Sequence, residues 1–112
     1  VWLLAGQSNI GWSLAQSEGG AGAAASASDL PLLFSFQQHP HAGASPAPAD
    51  DVRDGRWLAI APASAPHQSA VGFHFARALR AHLGPDIPLA LVHTAMGGTA
   101  IESWLDADAL DS

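Results

Sequence analysis

Five apolar residues, Val1-Trp2-Leu3-Leu4-Ala5, end abruptly in Gly6-Gln7-Ser8-Asn9. A short apolar run closed by a turn signal reads as a buried strand. Gly6 lets the backbone bend where the strand stops. Ligands of open α/β sheets bind in the crevice outside the carboxyl ends of the strands. Ser8, delivered to such an end, is therefore a candidate nucleophile. Serine is also a favoured helix N-cap, and for this stretch alone the cap is the simpler reading.

The length of 112 residues fits one small domain, and 48% hydrophobic with 12% charged residues fits a globular chain. The net charge is −6 and the four cations are all Arg, with no basic patch. This argues against nucleic acid and anionic membrane surfaces as partners. There is no Cys, so disulfides and thiolate metal sites are excluded. No apolar run approaches the roughly 18 residues of a membrane span. Val1 already stands inside the first strand, without Met or a charged segment before it, so no leader is read and the chain is expected to be a piece of a longer one.

After Ser8, Ile10 to Gln16 is expected to form a short helix weakened by Gly11. Residues 17–28, all Gly, Ala and Ser apart from Glu18, read as a flexible loop, although the Ala run favours helix. Leu32 to Phe36 reads as a strand. Gln37 to Arg56 reads as loop broken by Pro40, Pro46 and Pro48. Trp57 to Ile60 reads as a second short strand, pairing with 32–36 in an excursion outside the main sheet. The clearest helix follows. Ser69 is its N-cap, Val71, Phe75, Ala78, Leu79 and Leu83 form its apolar stripe, and Gly84-Pro85 ends it. Arg77 and Arg80 fall off that stripe. Pro88 to His93 is the next buried strand. Helix then strand is the second half of a right-handed βαβ crossover whose first strand is Val1 to Ala5, with residues 17–68 decorating the connection.

A second turn follows that strand: Met96-Gly97-Gly98-Thr99-Ala100-Ile101-Glu102-Ser103-Trp104. Thr99 and Glu102 have capping-box spacing. The two glycines permit close backbone approach and expose N–H groups. A tight, well-capped connection with no ligand explains this turn equally well when it is taken alone. The two turns together are more informative, because parallel strands place both at one sheet edge. One offers a hydroxyl and the other backbone donors, which is the pairing that acyl transfer needs. There is no Gly-x-Gly-x-x-Gly after the first strand and no Gly-Lys-Ser/Thr, which disfavours nucleotide binding.

Leu4-Ala5-Gly6-Gln7-Ser8-Asn9 resembles the first block of the sialate O-acetylesterase branch of the SGNH hydrolases. Trp57, with Ser69 to Leu79, resembles the segment before that branch's second sheet strand. Gly97-Gly98-Thr99-Ala100-Ile101-Glu102-Ser103-Trp104 resembles its second block. The resemblance implies an α/β, three-layer, flavodoxin-like fold with a parallel sheet. Residues 1–112 would be the amino-terminal part of a single domain, incomplete at the carboxyl end and carrying a loop-rich insertion at about 17–68. It implies a serine esterase that removes O-acetyl groups from carbohydrates of the sialic acid or xylan type, without metal or organic cofactor. Ser8 would be the nucleophile and, through its N–H, an oxyanion donor. Gly97, or alternatively Gly98, would be a second donor, and Gly6, Gln7, Asn9 and Thr99 would shape the turns. A secreted or periplasmic location is implied as well. Ile10 stands where Met is usual. The family's third block and its last block, Asp-x-x-His, which supplies the base, have no match here, so the 112 residues alone are expected to be inactive.

A serine needs a general base within hydrogen-bond reach. His39 and His41 fall in the Pro-rich loop, His67 in a turn, and His74 and His82 on the helix. His93 ends the strand adjacent to Ser8 and is the nearest by topology, as a substrate contact or as the base of a small complete hydrolase. Asp106 and Asp108 are its available carboxylates, although an acidic tail (Asp106, Asp108, Asp111) is more often a solvated face. No His-x-x-x-His or His-Glu-x-x-His pattern points to a metal. Trp2, Trp57 and Trp104 read as core or cleft wall, while Trp12, just behind Ser8, is a candidate sugar platform. The non-enzymatic alternative is a carbohydrate-binding or structural remnant of the same fold.

Overall fold

The computed structural model describes residues 1–37, 50 and 55–110. His39, His41, Asp111 and the three prolines between 40 and 48 lie outside the described residues. In chain order the elements are β1 (Trp2–Leu4), α1 (Ser8–Gly11), α2 (Gly20–Ala25), β2 (Leu33–Gln37), β3 (Arg56–Ala59), α3 (Ala70–Leu83), β4 (Leu89–His93) and α4 (Ala107–Leu110). Single 3-10 turns occupy Leu14–Gln16, Ser26–Asp29, Ala65–His67 and Ile101–Trp104.

The strands form one mixed sheet in the order β1-β4-β2-β3. β4 pairs in parallel with β1 (Trp2 opposite Leu91, Leu4 opposite His93) and with β2 (Leu33 opposite Leu89, Gln37 opposite His93). β3 closes the far edge antiparallel to β2. The crossover from β1 to β4 through α3 is thus as the sequence indicates. The strand pair β2–β3 is not an excursion, because β2 is the direct parallel neighbour of β4.

β1 differs from the buried strand expected. Trp2 and Leu3 are 45% and 65% exposed. The reason is position: β1 is an edge strand, hydrogen-bonded among the described residues only to β4.

In-register residues share a face of the sheet. Leu33, Ser35, Leu89 and Leu91 line one face and are buried, together with Phe73 and Leu14. Leu3, Phe34, Phe36, Trp57 and Val92 line the other, where Phe36 and Trp57 pack ring to ring at 5.2 Å. That face is only partly covered, with Leu3 and Trp57 exposed and the others half-buried.

The segment expected as a flexible loop is a core element. Ala23 and Ala24 of α2 and the following Ala27 are buried. The Ala run forms helix because Ala is the best helix former, and its methyls allow it to lie against the Leu14–Gln16 and Ala65–His67 turns.

α3 starts and stops where the sequence indicates. The Ser69 hydroxyl accepts from the Gly72 N–H at 3.1 Å, and Gly84 ends the helix at φ 83°. The buried face is not the large-residue stripe. Ala70, Gly72, Phe73, Ala76 and Arg80 face inward, while Val71, Phe75 and Leu83 are exposed. Small residues let the helix approach the sheet closely: a Cβ on Gly72 would overlap Leu4 Cδ1. Phe75 still covers Trp2, edge-on at 5.0 Å.

Arg80, expected off the stripe, is 6% exposed. Its guanidinium donates to Gly84 O (3.0 Å), Pro85 O (2.9 Å), Ile87 O (2.5 Å) and Pro31 O (2.6 Å). It therefore ties the end of α3 to the entries of β4 and β2. A planar fork of five donors can satisfy carbonyls from two segments at once.

Candidate active site

The turn after β1 is tighter than a strand-to-loop exit. Gly6 has φ 147°, and a Cβ there would stand 2.9 Å from Ile10 Cγ1, so the bend requires glycine. Gln7 is the N-cap of α1, and its carbonyl accepts from the Ile10 and Gly11 N–H groups at 3.1 and 3.0 Å. Ser8 is consequently the first helical residue and not the cap. The helix begins two residues earlier than expected and ends by Gly11. Ser8 is exposed, and its Oγ donates to Gln7 Oε1 at 3.2 Å. Asn9 is exposed beside it.

The chain beyond β4 continues alongside the end of β1. Thr94 N–H donates to Leu4 O at 3.2 Å and Met96 N–H to Gly6 O at 3.0 Å. This pairing carries Gly97 against Ser8: a Cβ built on Gly97 would lie 4.0 Å from both Ser8 Cα and Cβ. Gly98 supplies the bend at φ 79° and has open space where a Cβ would go. The two turns singled out in the sequence thus meet, with Gly97 the glycine that faces Ser8.

The expected Thr99–Glu102 capping box does not form. Ala100 is the N-cap of the 3-10 turn at Ile101–Trp104, with no side-chain cap bond. The Thr99 hydroxyl instead donates to Met96 O and accepts from Trp104 Nε1–H, both at 2.9 Å. Gln7 Nε2 donates across to Thr99 O at 3.2 Å. A mostly apolar groove of about 280 Å³ runs beside this contact, lined by Ala5, Gly6, Gln7, Thr99, Ile101 and Trp104. The parts played by Gln7 and Trp104 are not readable from sequence spacing.

Trp12 follows α1, with its side chain 51% exposed. Its carbonyl accepts from Ala70 N–H and Gln68 O accepts from Leu14 N–H, each at 2.8 Å. The segment behind Ser8 is therefore fastened to the start of α3.

His93 is half-buried, opposite Leu4 on one side and Gln37 on the other. Among the described residues no hydrogen bond joins it to Ser8, Asp106 or Asp108. Asp106 Oδ1 accepts from Ala109 N–H at 2.9 Å, at the start of α4. His74 lies edge-on to Phe73 at 5.8 Å, and His67 and His82 are exposed. Among the described residues no cluster of three His, Asp or Glu is arranged to hold a metal, and no helix is long and apolar enough to cross a membrane. A serine lying against a glycine turn that can offer backbone N–H groups is an arrangement suited to attack on a carbonyl and capture of the resulting oxyanion.

Comparison with known proteins agrees with this chemistry. The profile described as carbohydrate esterase, sialic acid-specific acetylesterase, matches residues 1–110. Among solved structures, a carbohydrate acetylesterase from Xanthomonas citri is similar at 39% identity and a TM-score of 0.85, over 99% of this chain and 24% of that one. The chain thus spans less than a third of the length of that protein. No protein of curated function matches. With 110 of its 112 residues matched, the chain belongs to the carbohydrate esterase family of the sialic acid-specific acetylesterases.

Proposed function

We propose that the chain carries the nucleophile and two oxyanion donors of a serine carbohydrate O-acetylesterase acting on sugars of the sialic acid or xylan type. Ser8 Oγ attacks the acetyl carbonyl. The Ser8 and Gly97 N–H groups hold the oxyanion, and the sugar hydroxyl departs with a proton. Water then releases acetate from the acyl-serine. The observation that supports this reading most is the approach of Gly97 to Ser8, close enough that a Cβ added to Gly97 would lie 4.0 Å from Ser8 Cβ. It supports Gly97 over Gly98 as the donor. One oxyanion donor is worth about 2.7–4 kcal/mol of transition-state stabilisation.

The present partner of the Ser8 hydroxyl, the Gln7 carboxamide, is not a base at neutral pH. The base is assigned to an Asp-x-x-His block outside these 112 residues, within the same domain of a longer polypeptide. The 112-residue chain alone is accordingly expected to be inactive, because triads lacking a member retain only residual catalysis.

The test is acetyl release by the whole protein from acetylated sialic acid and from acetylated xylan, with Ser8→Ala as control. Removing an activated serine costs about 10⁶ in kcat in a serine protease, so the variant should lose activity by several orders of magnitude. An active Ser8→Ala protein would sink the assignment.

A further inference from the structure

One polar side chain, Gln7, joins the two turns, and two more, Thr99 and Trp104, brace the second turn from within; the acyl-transfer steps do not themselves use them. The Gln7 carboxamide contacts both turns: Oε1 accepts from Ser8 Oγ and Nε2 donates to Thr99 O, each at 3.2 Å. A carboxamide can do this because it carries an acceptor and a donor on one planar group. Thr99 is the meeting point. Its carbonyl takes the Gln7 amide, and its hydroxyl gives its one proton to Met96 O while accepting the Trp104 indole N–H. The hydroxyl bond from Thr99 back to Met96 spans Gly97-Gly98. Two glycines have no side chains to hold their own conformation. Their geometry therefore depends on this strut and on the Met96 N–H bond to Gly6 O.

We propose that Gln7, Thr99 and Trp104 form a positioning network that sets the Gly97 N–H relative to Ser8 Oγ. Its loss lowers the turnover of acetyl esters without weakening their binding. The inference rests on the reading of Ser8 as nucleophile. The three are positioning residues: they act on the two turns and not on the acyl group.

The experiment uses the whole protein and 4-nitrophenyl acetate, an ester with no sugar to bind. Trp104→Phe keeps an aromatic ring, smaller than the indole, and removes the N–H. Thr99→Val keeps the shape and removes the hydroxyl, and Thr99→Ser restores the hydroxyl. Misplacing reacting groups by 1 Å costs about 10² in rate. We expect Trp104→Phe and Thr99→Val each to lower kcat about 10- to 100-fold with KM changed less than about twofold. Thr99→Ser should recover most of the rate. The double variant should be no slower than Thr99→Val, because both changes break the same bond and such effects do not add. Wild-type kcat in both single variants overturns the network, as do losses that multiply in the double variant or a Thr99→Ser protein as slow as Thr99→Val. Ser8→Ala separates the two claims. If it stays active, the nucleophile assignment fails. If it is inactive while Thr99→Val and Trp104→Phe retain full rate, only the network fails.

Discussion

Gly97 and Gly98 are adjacent in the chain, yet the geometry gives them different reasons to be glycine, and two alanine substitutions separate those reasons. Gly97 lacks the left-handed backbone of its neighbour, and an added methyl would meet Ser8 Cα and Cβ at 4.0 Å, an ordinary contact. The fold should therefore accept Gly97→Ala. Reduced freedom of the unfolded chain should even add about 0.4–1 kcal/mol of stability. The methyl nevertheless occupies the side of the turn that faces Ser8, where an acetyl group between the Ser8 hydroxyl and the Gly97 N–H would lie. Displacing that group by about 1 Å costs about 10² in rate. Gly98→Ala presents the opposite case. Its surroundings are open, but φ is 79°, and a left-handed residue with a Cβ costs about 1–2 kcal/mol. Set against the same unfolded-state gain, the net loss is up to about 1.6 kcal/mol. Urea denaturation and acetyl release should be measured on both variants. Gly97→Ala should keep or raise its unfolding midpoint and lose about 10² in kcat/KM, whereas Gly98→Ala should lose midpoint and keep most activity. Full activity in Gly97→Ala, or an unfolding midpoint above wild type in Gly98→Ala, would refute the division of roles.

Two further substitutions probe what holds the site in place. Arg80→Met keeps the stem and removes donors to four carbonyls. Charged hydrogen bonds contribute about 1.5–3 kcal/mol each, but Pro31, Pro85 and Ile87 are exposed and their carbonyls can regain water, and the cost of burying a cation is recovered. A net loss of about 2–4 kcal/mol is expected in urea denaturation, and an unchanged midpoint would show the clamp to be idle. Gly72→Ala drives a methyl into Leu4 Cδ1 and to 3.5 Å from Leu91 Cδ1. Overpacking of this kind costs about 1–3 kcal/mol, and because Leu4 ends the strand before Ser8, acetyl release should fall together with the thermal midpoint.

Local chemistry was legible in the sequence wherever one residue type performs one task. Ser69 and Gly84 mark the ends of α3 because a hydroxyl cap and a left-handed glycine leave few alternatives. The strands at 33–37 and 89–93 are legible because β-compatible apolar runs between Pro and polar residues have few other uses. Sheet order was not legible in full. β2 was read as an excursion, although its register with β4 is decided by packing between segments more than fifty residues apart. The segment at 20–25 failed for a related reason. Gly and Ala are compatible with both a linker and a close-packed helix, and only packing against the turns at 14–16 and 65–67 selects the helix. The meeting of the Ser8 turn with the Gly97-Gly98 turn was legible from strand topology, while the preference for Gly97 came from the family resemblance. Gln7 entered only as a turn-shaping residue implied by the resemblance, and its bonds and that of Trp104 were not legible, because they depend on side-chain reach.

The inverted face of α3 explains more than a misread stripe. Periodicity weights large apolar residues, so Val71, Phe75 and Leu83 dominate the pattern. The sheet instead takes the face that allows the nearest backbone approach: Ala70, Gly72, Phe73 and Ala76. Arg80 can then join that face because its charge is spent on carbonyls at the helix end rather than on solvent. Close approach at Gly72 presses Leu4 and Leu91 under the helix. At the same end, Ala70 N–H and Gln68 O fasten Trp12 and Leu14. The chain is thus held on both sides of Ser8, before it by Leu4 and after it by Trp12, while the Met96 bond to Gly6 O holds the opposing turn. A serine on a short exposed helix would otherwise have little to fix it. Small residues on α3, chosen against the hydrophobic pattern, provide the rigidity that the proposed nucleophile requires.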